Sequence, residues 1–103
     1  MPNFVLVYRG GGMAETPEAQ QKVMEQWMGW FGTLGESVVD GGAPFGPSAS
    51  IASDGATSDG GASGLTGYSI LSAGSLAEAQ TKAKGCPVLS SGGSVEVYES
   101  LPM

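Results

Sequence analysis

The sequence predicts a single α+β domain, with elements in the order β-α-β-β-α-β. Three observations point there. Apolar runs of strand character open and close the chain, at Phe4-Val5-Leu6-Val7-Tyr8 and Ser94-Val95-Glu96-Val97-Tyr98. Two helix-start signals, Thr16-Pro17-Glu18 and Ser75-Leu76-Ala77-Glu78, each follow a strand-like segment. The length, 103 residues, suits one domain, and no repeat or linker divides it.

The first strand, 4–8, lies between Pro2-Asn3 and Gly10-Gly11-Gly12. Thr16 then caps a helix, with Pro17 at its first position and Glu18 at the positive end of the dipole. Val23, Trp27, Trp30, Phe31 and Leu34 recur at helical spacing, flanked by Met24 and Met28. Gly35 is a stop. Val38-Val39 begins a short second strand that runs into Asp40-Gly41-Gly42.

From Gly41 to Gly67 the chain is rich in Gly, Ser and Ala, with turn signals at Asp54-Gly55 and Asp59-Gly60. A structureless loop of that length is unusual in a compact domain. The expectation is a hairpin-like excursion, with Ala49-Ser50-Ile51-Ala52 as a short strand and a turn at Asp54-Gly55. Gly67-Tyr68-Ser69-Ile70-Leu71 reads as the third main strand. Ser75 and Glu78 form a capping box for a helix with Leu76, Ala79 and Ala83 on one face, which Gly85-Cys86-Pro87 stops. The last strand, 94–98, alternates with one face toward the core.

This order is the split βαβ, or ferredoxin-like, arrangement. Two helices cover one face of a four-stranded sheet. The other face must meet water or a second subunit, and Tyr8, Ile70 and Tyr98 are expected to supply its apolar surface. That predicts a homodimer.

Composition narrows the function. The net charge is −6, from four Lys+Arg against ten Asp+Glu. Four cations make a poor basic patch, which argues against nucleic acid, and an anionic membrane surface would repel the chain. No apolar run approaches a membrane span. Met1-Pro2-Asn3-Phe4 lacks the basic start of a signal peptide. Cys86 is the single cysteine, so no internal disulfide forms. A cytoplasmic location is expected. Histidine is absent. That removes Ser-His-Asp and Cys-His catalysis and most zinc and transition-metal sites, so neither metal nor cofactor is expected.

Four residues are candidates for a site. Arg9, after the first strand, could clamp a carboxylate or phosphate, or simply form a surface ion pair. The glycines behind it lack the Lys-Ser/Thr of a nucleotide loop. Asp40 could be a general base, although Asp before Gly-Gly is ordinary turn chemistry. Trp27 could line a ligand pocket, but its helical spacing with Val23 and Leu34 favours packing. Tyr68 could hydrogen-bond a ligand there. Cys86, at a helix C-terminus, is expected to be unreactive. Arg9 and Asp40 close the first and second strands. A βαβ unit makes those strands parallel, with one strand between them, so both residues are expected at one edge of the sheet and in one cleft.

Several segments together resemble the YCII-related family, also called DGPF-domain proteins. They are Gly64-Leu65-Thr66-Gly67-Tyr68-Ser69-Ile70-Leu71, Ser75-Leu76-Ala77-Glu78-Ala79, Cys86-Pro87 and Gly92-Gly93-Ser94-Val95-Glu96-Val97, with Gly41-Gly42-Ala43-Pro44. The resemblance spans almost the whole chain. It implies a dimeric α/β barrel, in which two ferredoxin-like sheets pack face to face. It also implies chemistry on small lactone-like or aromatic breakdown products in a few relatives, some using a histidine on the first helix with a nearby aspartate. Here that histidine has no counterpart, and the nearest segment to Asp-Gly-Pro-Phe is Asp59-Gly60-Gly61-Ala62.

Two functions follow. One is a non-catalytic or weakly catalytic dimer that binds a small anionic metabolite. The other is a lyase or isomerase with Asp40 as base and Arg9 as anion clamp. They part at Asp40, which belongs in an enclosed pocket for the enzyme and in a solvated turn for the binder.

Overall fold

The computed structural model describes residues 1–10, 16–61 and 63–102. The end of the triple glycine and Ala62 of the Asp59–Ala62 segment lie outside them. The first strand is β1, Asn3–Arg9. Helix α1, Pro17–Leu34, starts as expected: Thr16 Oγ1 accepts from the Ala19 N–H and Pro17 opens the first turn. Gly35 ends it at φ 56°. Strand β2 is Val38–Pro44, longer than expected, so Asp40 sits near its start and not at its end. The excursion is a hairpin of β3, Ala49–Ile51, and β4, Thr57–Asp59, paired Ile51 to Thr57. Strand β5, Leu65–Ser72, leads to α2, Leu76–Ala83, and β6, Ser94–Ser100, closes the chain.

The main sheet has the order β2-β5-β1-β6, with every neighbouring pair antiparallel. Strands β1 and β2 are therefore parallel with β5 between them, as a βαβ crossover requires. The molecule is an α+β domain whose strand order fits the ferredoxin-like arrangement.

Alternation along the strands sorts the two faces. Phe4, Leu6 and Tyr8 of β1 point to the helices, as do Ser69 and Leu71 of β5, and all five are buried. Trp30, Ala73, Ala79, Ala83, Cys86 and Val88 join that core. Tyr8 is thus a correction. It was expected on the uncovered face, but it falls in phase with Phe4 and Leu6, and its ring meets Trp27 edge-on at 5.1 Å. Met24 and Met28 are exposed, so the apolar arc of α1 is narrower than its sequence suggests. Leu76 is exposed too, and the small Ala79 and Ala83 make the contact of α2. Glu78 reaches back one residue beyond its capping partner: its Oε2 accepts from the Gly74 N–H at 2.8 Å.

The principal extents are 43 × 41 × 19 Å. The short dimension is that of a sheet bearing one layer of helices, each roughly 10 Å in diameter.

Candidate functional site

Among the described residues, no helix covers the second sheet face. Its centre is apolar: Val5 of β1 lies opposite Ile70 of β5 and Tyr98 of β6, and Val7 lies opposite Tyr68 and Glu96. Two tyrosine–carboxylate pairs flank these residues.

On the β2 side, Asp40 is opposite Ile70, and the register breaks on both sides of it. Its Oδ1 accepts from the Gly42 N–H at 2.8 Å, an Asx-type turn that holds the bulge at Gly41-Gly42. Gly42 has φ 76°, the left-handed region where glycine is favoured. The Tyr68 hydroxyl donates to the other Asp40 oxygen at 3.4 Å. Asp40 is exposed. Phe45, just beyond β2, stacks on Tyr68 at 5.8 Å with 20° between the rings.

On the β6 side, Arg9 Nε lies 3.5 Å from Glu96 Oε2. The Tyr98 hydroxyl donates to the other Glu96 oxygen. That bond to a carboxylate raises the phenol above its ordinary value, because the charged acceptor favours the protonated donor.

Arg9 and Asp40 do not share a cleft. Asp40 is level with Val5 through Ile70, while Arg9 stands four residues further along β1 and on the far side of β5. That separates their backbones by about 14 Å along the strands and 10 Å across them. The cause is the extra length of β2 beyond Asp40. Asp40 and Tyr68 do come together. Trp27 joins neither, since it lies in the helix layer with Tyr8, Trp30 and Phe31.

Sequence reading missed Glu96, Ser69 and Phe45. Glu96 and Tyr98 were legible as a pair, because residues two apart on a strand share a face. Ser69 carried no such signal. In the core the Tyr8 hydroxyl donates to Ser69 Oγ at 2.7 Å, and the Ser69 hydroxyl donates to the Gly41 carbonyl at 2.8 Å. Burial pushes the neighbouring Cys86 thiol up to about 11, away from thiolate chemistry at neutral pH.

Two open clefts are lined by described residues. One, of about 550 Å³, lies between Phe45–Ser48 and Ser63–Leu65 with Ile51 on its wall, and no charged residue among the described ones lines it. The other, of about 420 Å³, runs between the ends of α1 and α2 along Trp30, Ser37 and Lys82. Among the described residues no group of three or more His, Cys, Asp or Glu could hold a metal ion. No helix among them is long and apolar enough to cross a membrane. In comparisons with known proteins, no family model, curated protein or solved structure matches the chain.

Proposed function

We propose that this chain is a non-catalytic binding module that works as a homodimer, with two sheets packed face to face as the YCII-like resemblance implies. One observation carries the reading: the uncovered face presents Val5, Val7 and Ile70 in register between Tyr68 and Tyr98. Its surface area supports it. The chain exposes 6908 Å², against about 5,400 Å² for a compact monomer of its mass. The radius of gyration is 14.9 Å, against about 13 Å for a compact domain of this length.

The enzyme reading draws less support. Asp40 is exposed and engaged in a turn, and Arg9 is held by Glu96 in another part of the face. An anion at Arg9 competes with that carboxylate, so a second copy is the partner proposed first. Light scattering across micromolar concentrations tests this. A dimer is expected, and Val7→Glu should yield a folded monomer by placing a charge at the centre of the face. A wild-type monomer at those concentrations would overturn the reading.

A further inference from the structure

The chain holds three Asp-Gly pairs, Asp40-Gly41, Asp54-Gly55 and Asp59-Gly60, and all three aspartates are exposed. Each pair has the same latent chemistry, because glycine leaves its amide nitrogen unshielded by a side chain. That nitrogen attacks the aspartate carboxyl carbon. A C–N bond forms, the nitrogen gives up its proton, the carboxyl oxygen leaves as water, and a cyclic succinimide results. Water then adds back to the ring. Cleaving the new bond restores aspartate. Cleaving the original peptide bond frees the main-chain carboxyl and routes the chain through the side chain as isoaspartate. One water leaves and one returns, so the step needs no oxidant or reductant.

The sequence gives the three pairs equal standing, and the fold separates them. Ring closure needs the aspartate backbone to turn until the next nitrogen meets the carboxyl carbon, so the hold on that backbone decides. Asp40 is paired with Ile70 inside the main sheet. Its carboxylate oxygens accept from the Gly42 N–H and the Tyr68 hydroxyl, and the Gly41 carbonyl accepts from buried Ser69 at 2.8 Å. Gly60 is held on both sides: its N–H donates to the Ser48 carbonyl and its carbonyl accepts from the Ser50 hydroxyl, each at 2.8 Å. Asp54 stands at the tip of the hairpin, between β3 and β4. The bonds around it stay within the turn: Ala56 N–H to Asp54 Oδ1, and Gly55 N–H to the Ala52 carbonyl, each at 2.9 Å. The strands it joins have three residues each and form a separate two-stranded sheet, an arrangement marginally stable in water.

We infer that Asp54-Gly55 is a site of spontaneous isoaspartate formation in the folded protein, while the main sheet shields Asp40-Gly41. Opening of the turn, and not of the domain, is enough to reach the reactive geometry. The product carries the main chain through Asp54 Cβ and lengthens the turn by a methylene. Turn length fixes hairpin register, so the pairing of Ile51 with Thr57 beside the turn is lost. The main sheet keeps its ladder, since β3 and β4 belong to the other sheet. This inference stands independently of the proposed dimer.

Storage of the unaltered chain at neutral pH in heavy-oxygen water, followed by tandem mass spectrometry, tests this. Each passage through the succinimide installs one heavy oxygen at the aspartate concerned. Label should enter at Asp54 faster than at Asp59, and at least about tenfold faster than at Asp40, as local and sheet opening differ in free energy. In urea, where the fold is gone, the three rates should converge, because the pairs are chemically alike. A native Asp54 that reacts no faster than Asp40 or Asp59 would overturn the inference. A native ordering that survives unchanged in urea would overturn it too, because the fold would not be its cause.

Discussion

Gly42 passes so close to Tyr68 that a Cβ built on it would lie 1.7 Å from the Tyr68 carbonyl oxygen. No side chain fits there, and the φ of 76° disfavours one independently. Gly42→Ala should therefore destabilise by roughly 2–4 kcal/mol, combining left-handed strain with a backbone clash. Asp40→Ala removes the carboxylate that accepts from the Gly42 N–H and the Tyr68 hydroxyl in exposed hydrogen bonds, and should lose about 0.5–1.5 kcal/mol. Urea titration of both variants checks the order. If Asp40→Ala proves the more damaging, Asp40 does more than hold the turn.

The buried chain from Tyr8 through Ser69 to Gly41 gives a second ordering. Tyr8→Phe takes away one donor and leaves Ser69 still bonded to the Gly41 carbonyl, for about 0.5–1.5 kcal/mol. Ser69→Ala strands the Tyr8 hydroxyl in the core and removes the bond to β2 as well, for about 1–3 kcal/mol. Ser69 is fully buried, so water cannot simply take its place without opening the sheet. Denaturation midpoints of the two variants decide this, and equal losses would show that the Gly41 contact contributes nothing.

Stability should fall on the alkaline side. Burial raises Cys86 from its ordinary 9.0 to about 11, and burial also raises Tyr8 above its ordinary 10.0. Both groups are neutral when protonated, so the fold favours the protonated forms. The unfolded chain loses the Cys86 proton first. Stability from this group is thus complete below about pH 9 and is lost as pH rises to about 11, with Tyr8 adding to the loss. Thermal midpoints from pH 7 upward should show the decline, and Cys86→Ala should remove the part between 9 and 11. A flat profile to pH 11 would mean the thiol is not shielded as its 2% exposure suggests.

Much of the fold was legible because its signals are local. Thr16-Pro17 and Ser75 cap helices where their side-chain oxygens predict, and Asp54-Gly55 turns a hairpin through the bonds such a pair makes. Tyr8 was misplaced because face assignment depends on phase, and one residue of error reverses every side chain. Phe4-Val5-Leu6-Val7-Tyr8 is apolar on both faces, so its sequence does not fix that phase. The site suffered from a different cause. Asp40 and Arg9 were joined by assuming that β2 ended at Asp40, whereas the bulge at Gly41-Gly42 lets the strand continue to Pro44. The bulge depends on tertiary contact with β5, which no local pattern reports.

A contact between the two helices supplies the last prediction. The Trp30 Nε1–H donates to the Lys82 carbonyl at 3.1 Å, which ties the end of α1 to the last turn of α2. Lys82 in turn donates through Nζ to Ser37 Oγ at 2.8 Å and pairs with Glu78 at 3.3 Å. Glu78 is held below its ordinary value, first by the Gly74 N–H and then by Lys82. Gly85 lies beneath the indole: a Cβ there would sit 3.0 Å from Trp30 Cδ1 and 3.1 Å from Nε1. Gly85→Ala should therefore overpack this junction, for about 1–3 kcal/mol. Trp30→Phe should lose the indole donor and some packing, for roughly 1–3 kcal/mol. The two changes share one cause of strain, because the smaller ring vacates the atoms that the new methyl would strike. In a double-mutant cycle the combined loss should fall short of the sum by more than about 0.5 kcal/mol. Additive losses would show that the alanine is accommodated by movement of α2, and that the indole does not set the spacing of the two helices.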